Sequence, residues 1–514
     1  MLPSFSVPTS PSRLLRAAAL AALAPLLLVA CAVPRPPAQV SAPLPPGWQA
    51  PLPHGGSLAQ LHDWWQGSLH DPVLAGLIAD AQAMSPNVSQ AASRLAQARA
   101  QQVAARSTLL PALDGQGNAS RGFNQQVGGV ASTAQANLQA GWEIDLFGGN
   151  AAQWEAARAR AQAAGAQWHE ARVSVAAEVA QQYAGWHYCR RQLQVAESDA
   201  RSRGETARLS TESERAGFTA PATAALASAS QADAQARAAQ QRLQCDIAVK
   251  TLVALTGREE AALRAQLDAA PALRPDATLF AIDTLPARLL AQRPDIYAAE
   301  LEVAAASAEV GAARAERYPR LQLTGSIGRG WVKSNAGSVA SNTWSIGPVA
   351  LTLPLFDAGR RAAQVDAAQA RYEDAALRLR AQARQAVAEV EQALARLAST
   401  EERRASAERA AAGYRRSFEA TQARWSAGLA SLVELEDARR TQLASETALV
   451  ALEQERMLAW IALYRAAGGG WSRALDAPGV PGDALPVVGL QTGAAAAPAS
   501  AAGRAALPPT PVPR

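Results

Sequence analysis

The chain has 514 residues, with 49 Lys plus Arg against 44 Asp plus Glu and a formal net charge of +5. Lysine occurs only at Lys250 and Lys333, and the arginines alternate with acids along helical stretches. That pattern reads as a solvated helix face and excludes nucleic-acid binding. No stretch after residue 30 is apolar for eighteen residues, which excludes a transmembrane helix there. A membrane crossing must then use a closed β-barrel, since lipid cannot satisfy an open strand edge.

The N-terminus reads as a processing signal. Arg13 and Arg16 precede the short apolar core Ala17–Leu27, and Leu28-Val29-Ala30-Cys31 has the form of a lipobox. Residues 1–30 are therefore predicted to be a signal peptide, with cleavage before Cys31 and lipid attached to it. The alternative is a plain signal peptide with an incidental cysteine. Residues 31–57, rich in Pro and Gly, read as an extended tether from that lipid. The tail, 472–514, is Ala, Pro and Gly with few large apolar side chains, and is predicted to be disordered.

Between them one pattern occurs twice. The first copy runs from Pro111 through an alternating stretch to Phe147, a long helix, Ala216-Gly217 and a second helix to Gly257. The second runs from Pro319 to Phe356, a long helix, Ala427-Gly428 and a helix ending near Gly468. Phe147 and Phe356 lie 209 residues apart, and Gly217 and Gly428 lie 211 apart. So long a period marks a duplicated domain rather than a solenoid, with repeats at 58–257 and 258–471.

The helix lengths carry an argument of their own. Asn150–Glu214 and Gly359–Trp425 are each about 100 Å long as helix. The shorter helices Pro86–Leu109 and Pro221–Thr256, and likewise Pro294–Arg317 and Leu432–Ala466, nearly match one long helix when stacked end to end. Val365, Tyr372 and Leu379 repeat at seven, with Ala376, Ala383, Val390 and Leu397 as partner row, an a/d seam in which alanine permits close approach. This predicts a uniform cylinder wall rather than a globular core.

The strands are legible by alternation. Ala136, Leu138, Ala140, Trp142, Ile144 and Leu146 alternate with Asn137, Gln139, Gly141, Glu143 and Asp145. Leu321, Leu323, Gly325 and Ile327 alternate with Gln322, Thr324 and Ser326. One apolar and one polar face fits a barrel strand between lipid and water. A Gly-rich first strand is read at Leu113–Phe123. The fourth, Thr343–Leu353, changes phase at Pro348, which predicts a bulge or bend. The fold class is thus mainly α with a small membrane β-barrel portion, internally duplicated. Four strands cannot close a membrane barrel, which begins at about eight, so oligomerisation is required and both two-fold and three-fold assembly satisfy it.

Leu289-Leu290-Ala291-Gln292-Arg293-Pro294-Asp295-Ile296, Tyr318-Pro319-Arg320-Leu321, Gly347-Pro348 before Leu353-Pro354-Leu355-Phe356-Asp357-Ala358-Gly359, and Gly468-Gly469-Gly470-Trp471 resemble the outer membrane factor family. These are the TolC-like exit ducts, and the resemblance is to their efflux lipoprotein branch, over roughly residues 57–471. It implies a homotrimer with a twelve-stranded barrel in the outer membrane and an α-barrel through the periplasm. It implies docking on a periplasmic adaptor (membrane fusion) protein and an inner-membrane pump of the RND type. Ala32 in place of Asp would, by the same resemblance, send the lipoprotein to the outer membrane of a Gram-negative bacterium. The rival reading is a lipid-anchored periplasmic coiled-coil scaffold or adaptor without a pore, which leaves the strand pairs unexplained.

Within that resemblance the hairpins turn farthest from the outer membrane. The turns Arg215-Ala216-Gly217-Phe218 and Ala427-Gly428-Leu429 become the adaptor-docking tips. The positions matching Val433, Asp437 and Arg440 form the family's periplasmic constriction. Asp437 and Arg440, three apart on one helix, can also pair within it. Only the second hairpin supplies such a charged ring, because in the first Thr223 sits where the matching acid would be. Cys189 and Cys245 lie 28 residues before and 28 after Gly217, at one height on an antiparallel hairpin, and are predicted to form a disulfide in the oxidising periplasm. The alternative is two buried thiols on helices too far apart.

No catalytic signature is present: no Gly-x-Ser-x-Gly, His-Glu-x-x-His or phosphate loop. His54, His62 and His70 fall eight apart, which is not ligand spacing, so no metal is expected. The expected non-protein group is the lipid on Cys31, with no cofactor. Trp64, Trp65, Trp331 and Trp344 are assigned to packing or to an interfacial belt.

Overall fold

The computed structural model describes residues 33–42, 71–125, 128–271, 273, 293–335, 337–471 and 473. Cys31, the histidines at 54, 62 and 70, Trp64 and Trp65, Leu289–Gln292 and nearly all of the 472–514 tail lie outside them.

In chain order the elements are α1 (Pro72–Met84), α2 (Pro86–Ser107), β1 (Ala112–Asn124), β2 (Gly129–Ile144), α3 (Gly149–Arg215) and α4 (Pro221–Thr256). Then follow α5 (Glu260–Ala269), α6 (Pro294–Ala315), β3 (Arg320–Ser334), β4 (Gly337–Thr352), α7 (Arg360–Ser426) and α8 (Leu432–Ala466). The long helices α3 and α7 each have 67 residues. The shorter ones begin on local signals. Proline stands in the first turn of α1, α2, α4 and α6, where its missing N–H costs nothing. Asp71 caps α1 by accepting from the amides of Val73 and Leu74 at 3.0 and 3.1 Å. Ser431 and Glu434 form a reciprocal capping box on α8, which satisfies two orphan donors at once.

The strands form one antiparallel sheet in the order β1-β2-β3-β4. Register puts Leu138 opposite Ile327 and Ile327 opposite Trp344, so one face is an apolar row. The other carries Gln139, Ser326 and Ser345 in line. The register shifts beside Leu323 and Gly325, where Val349 and Ile346 become their partners. Two residues, Gly347 and Pro348, there oppose one. The bulge is what keeps Ile346 and Val349 on the same apolar face although the sequence changes phase. The sheet ends at β1 on one side and β4 on the other.

The helices are laid out as a wall. α3 packs on α2 and α4 along one side and on α6 and α8 along the other, and α7 packs on α6 and α8. Each long helix therefore faces stacked shorter ones, as the lengths predict. Midway along, α1 and α5 pack against the wall through Leu74, Leu77, Leu263 and Leu267, joined to Tyr183, Tyr188, Leu394 and Trp460 in the largest apolar cluster. Gly469 belongs to the loop after α8, at φ 62°, and a Cβ there would meet the Val173 methyls at 2.5 and 2.6 Å.

Arg293 sits at the same level. It is buried, with a fork of hydrogen bonds to Asp295 at 3.0 and 2.7 Å, one to Glu389 at 2.9 Å and one to the Ala466 carbonyl at 3.0 Å. One guanidinium thus ties α6, α7 and the end of α8 together. Burial opposes its charge, but the Asp295 and Glu389 carboxylates overcome that and hold its pKa above the usual range.

Residues 33–42 are extended and lie along the helices. The Pro34 carbonyl accepts from Arg314 at 2.7 Å, that of Pro36 from Ser307, and that of Pro37 from the Tyr372 hydroxyl at 3.0 Å. Arg35 pairs with Glu155, and Val40 packs on the cluster of Ile296, Val303 and Tyr372.

The hairpin tips and a candidate gate

Both tips end in the same backbone device. The amides of Gly217 and Phe218 donate to the carbonyls of Glu214 and Ser213, and those of Gly428 and Leu429 to Trp425 and Arg424. Gly217 and Gly428 have φ of 76° and 75°, the left-handed conformation that closes a Schellman motif at little cost only in glycine. The residue after that glycine normally packs back on its own helix. Here Phe218 is 86% exposed and Leu429 is exposed too. Two apolar side chains are thus displayed on the turns, beside the exposed Arg215, with none of the described residues covering them.

Four residues past the second tip α8 begins, and its first three turns carry charges on two faces. Asp437 and Arg440 form an i,i+3 ion pair at 3.0 Å, their side chains 71% and 76% exposed. Val433 lies exposed one turn nearer the tip. The three predicted constriction residues therefore share one uncovered stripe of α8, which is the arrangement a ring around an axis requires.

The adjacent face was not foreseen. Arg439 is 2% exposed and donates to Thr206 at 2.9 Å and Ser202 at 3.2 Å on α3, while also pairing with Glu436. Arg203 of α3 forks onto Asp199 at 2.9 and 3.0 Å and pairs with Glu436 across the helix interface. Ser230 of α4 donates to Glu436 at 2.9 Å. Two arginines and two carboxylates thus share a nearly dry contact between α3 and α8. Burial pushes the Arg439 pKa down, partly offset by the charge of Glu436. The sequence held one signal: Leu432, Leu435 and Arg439 stand at i, i+3 and i+7, so Arg439 occupies a seam position.

Cys189 and Cys245 are joined by a disulfide with Cα atoms 5.5 Å apart, linking α3 to α4. Gln241 donates to the Cys189 sulfur at 3.2 Å and to Gln192 at 3.3 Å. Beside it a cavity of about 330 Å³ opens between α3, α4 and α8, lined by Gln192, Asp199, Arg237, Gln241 and Gln244. Among the described residues no cluster of His, Cys, Asp or Glu is built to hold a metal ion, and no helix is long and apolar enough to cross a membrane.

Residues 77–258 and 285–469 each match the family described as outer membrane efflux protein. The chain belongs to that family. Each matching stretch holds two strands, a long helix and a hairpin tip. The outer membrane protein OprJ of Pseudomonas aeruginosa is 31% identical over 462 residues, covering 88% of this chain and 95% of that one. The toluene efflux pump outer membrane protein TtgI of Pseudomonas putida is 26% identical over 454 residues, 84% and 94% of the two chains. Among solved structures, the outer-membrane channel OprN superposes with a TM-score of 0.73 at 26% identity, over 85% of this chain and 99% of that one. The open-state MtrE outer membrane channel of Neisseria gonorrhoeae gives 0.71 at 26% identity, over 86% and 98%. The family's members are efflux channels of the outer membrane, and the open sheet and helical wall described here are the family's fold.

Proposed function

We propose that three copies of this chain form the exit duct of a tripartite efflux system, conducting substrates passively from a periplasmic adaptor and an inner-membrane pump, of the RND type, to the exterior. The observation that carries this reading is the sheet. It has an apolar face, two unpaired edges and four strands, and it is joined to helices about 100 Å long. Pairing β4 of one copy with β1 of the next through three copies closes a twelve-stranded barrel, with the apolar face toward lipid and the polar face toward water. The same ring brings three copies of Val433, Asp437 and Arg440 around the axis, as a gate at the periplasmic end. The exposed Phe218 and Leu429, with Arg215, Gly217 and Gly428, supply the adaptor-docking tips. A lipid on Cys31 anchors the duct to the outer membrane. OpmQ is named for pyoverdine, CusC for a cation and TtgI for toluene, so we assign the choice of cargo to the pump and adaptor.

The test is single-channel conductance of the detergent-extracted protein in a planar bilayer, with its oligomer mass measured in parallel. Trimers with small currents that grow in Asp437→Ala support the gated duct. An unchanged closed-state current in that variant sinks the gate. A species that never conducts removes the pore and leaves the scaffold.

A further inference from the structure

The charged residues of the sheet divide by face. Asp114 stands opposite Gln139, and Glu143 opposite Gln322, so both acids lie on the polar face. Arg320 shares that face with Gln322 by the period of two. Arg329 and Lys333 follow Ile327 on β3 at even spacing and therefore fall on the apolar face. Arg121 is opposite Ser132, and Ser132 is opposite Lys333. Arg121 is thus on the apolar face too, in one row with Lys333 and about 10 Å from it across β2. All three cations are exposed.

Their height is set by the strand. The helices join the sheet at Ala112, Ile144, Arg320 and Thr352, so the strand ends at Asn124, Gly129, Ser334 and Gly337 point away from the helical wall. Leu321 to Lys333 spans about 40 Å of strand, or about 30 Å of height at a tilt of about 40°. Lys333 thus stands just beyond an apolar band about 25 Å tall, and Arg329 about 10 Å lower, where its long stem can carry the charge to the boundary.

The strands and their turns supply no counter-charge. Between Asp114 and Glu143, and between Glu316 and Asp357, the sequence contains no acid. A neighbouring copy carries the same strands, so closing the barrel brings no carboxylate to this end either. None of the three cations has an ion-pair partner among the described residues. A cation that faces lipid is costly in the middle of a bilayer and costs little at its rim, where anionic head groups attract it.

We propose that Arg121, Arg329 and Lys333 form a membrane-facing site, one per chain, that binds the phosphates of a phosphorylated glycolipid in the outer leaflet. The proposal rests on the trimeric barrel reading, which sets the outer end of the sheet, and adds a lipid that the reading does not supply. Two cations in one row, with a third below, favour a head group bearing two phosphates over one.

Native mass spectrometry of the detergent-extracted trimer tests it, with diphosphoryl lipid A added as the probe. The native protein should retain up to one lipid per chain, and hold monophosphoryl lipid A less well. Arg121→Gln, Arg329→Gln and Lys333→Gln should each raise the lipid concentration for half occupancy about five-fold, and together about a hundred-fold. Arg320→Gln, on the polar face, should leave it unchanged. Equal retention by the triple variant overturns the site, and the single variants carry the same test if the triple one does not assemble. Equal retention of phosphatidylethanolamine or phosphatidylglycerol overturns the choice of glycolipid. Release by inorganic phosphate at the lipid's own concentration would make the ligand free phosphate and also overturn it. Conductance judges the duct separately: a native trimer that retains the lipid but never conducts loses the pore and keeps the site.

Discussion

Arg439 stands where its heptad calls for a hydrophobe, and it is held there by partners rather than by water. Replacing one member of a buried ion cluster leaves the others uncompensated, whereas replacing both members with apolar groups of similar size is often neutral. Arg439→Met should therefore lower stability by about 3 kcal/mol. Glu436→Leu added to it should recover much of that loss, a coupling read from thermal unfolding of the four proteins of the cycle. Glu170 is a partly buried carboxyl on α3 near Asp295, Arg293 and Arg465. Burial, and then the charge of Asp295, raises its pKa to about 7. The folded state thus holds this proton more tightly than the unfolded chain does. Its contribution is complete below the ordinary glutamate range and is lost as pH rises through about 7. Glu170→Gln should flatten that dependence and stabilise the protein above neutral pH by up to about 3 kcal/mol, measured as melting temperature against pH in the native and variant proteins.

At the scale of elements, the first hairpin is stapled and the second is not. The disulfide closes a sequence separation of 56 residues, for which the chain-entropy model gives about 4 kcal/mol. Serine at both Cys189 and Cys245 should make the α3–α4 tip more sensitive to proteolysis than the α7–α8 tip, and equal sensitivity would refute a local role. In the sheet, Ile346 lies in the apolar row, exposed in the single chain. Ile346→Arg should cost roughly 2–4 kcal/mol near the middle of the bilayer, seen as loss of heat-resistant oligomer on gels, while Ser345→Arg on the opposite face should be tolerated. These elements were legible to different degrees. The long helices and their partners were readable to within a residue or two, because proline, glycine and capping residues mark nearly every end. The strands were read short: β2, β3 and β4 extend through Gly129–Thr133, Gly328–Ser334 and Gly337–Asn342, where glycine and serine blur the period and a neighbouring strand supplies the order. The helices α1 and α5 went unread, since each is short and its burial is decided by α3 and α4. The buried charges at Asp199, Arg203 and Glu436 were hidden because a charge on a helix is usually solvated, and only the docking of α8 on α3 dries them.

For the whole molecule, duplication explains why one chain can supply a third of a wall that repeats six times around a trimer. One long helix and one stacked pair occur twice in the chain, and in the proposed trimer three copies continue the repeat around a ring. The midsection breaks that regularity: α1, α5, Arg293 and the glycine loop after α8 form the one thick region of the described residues. The specific Arg293-Pro294-Asp295 segment thereby acquires a physical role, since its arginine joins α6, α7 and α8 where stacked helices meet end to end. The proline-rich strand at residues 33–42 adds a different kind of constraint. It offers carbonyls at Pro34, Pro36 and Pro37, and the wall answers with the donors Arg314, Ser307 and Tyr372, the first of them only six residues before β3 begins at Arg320. Val33 is two residues from Cys31, about 7 Å of extended chain. An acyl group on Cys31 would therefore enter the bilayer at one fixed height on the outside of the cylinder. The molecule would carry its own waterline, drawn by backbone carbonyls rather than by the hydrophobicity of the strands, and could neither ride up in the membrane nor list to one side without first peeling that line away.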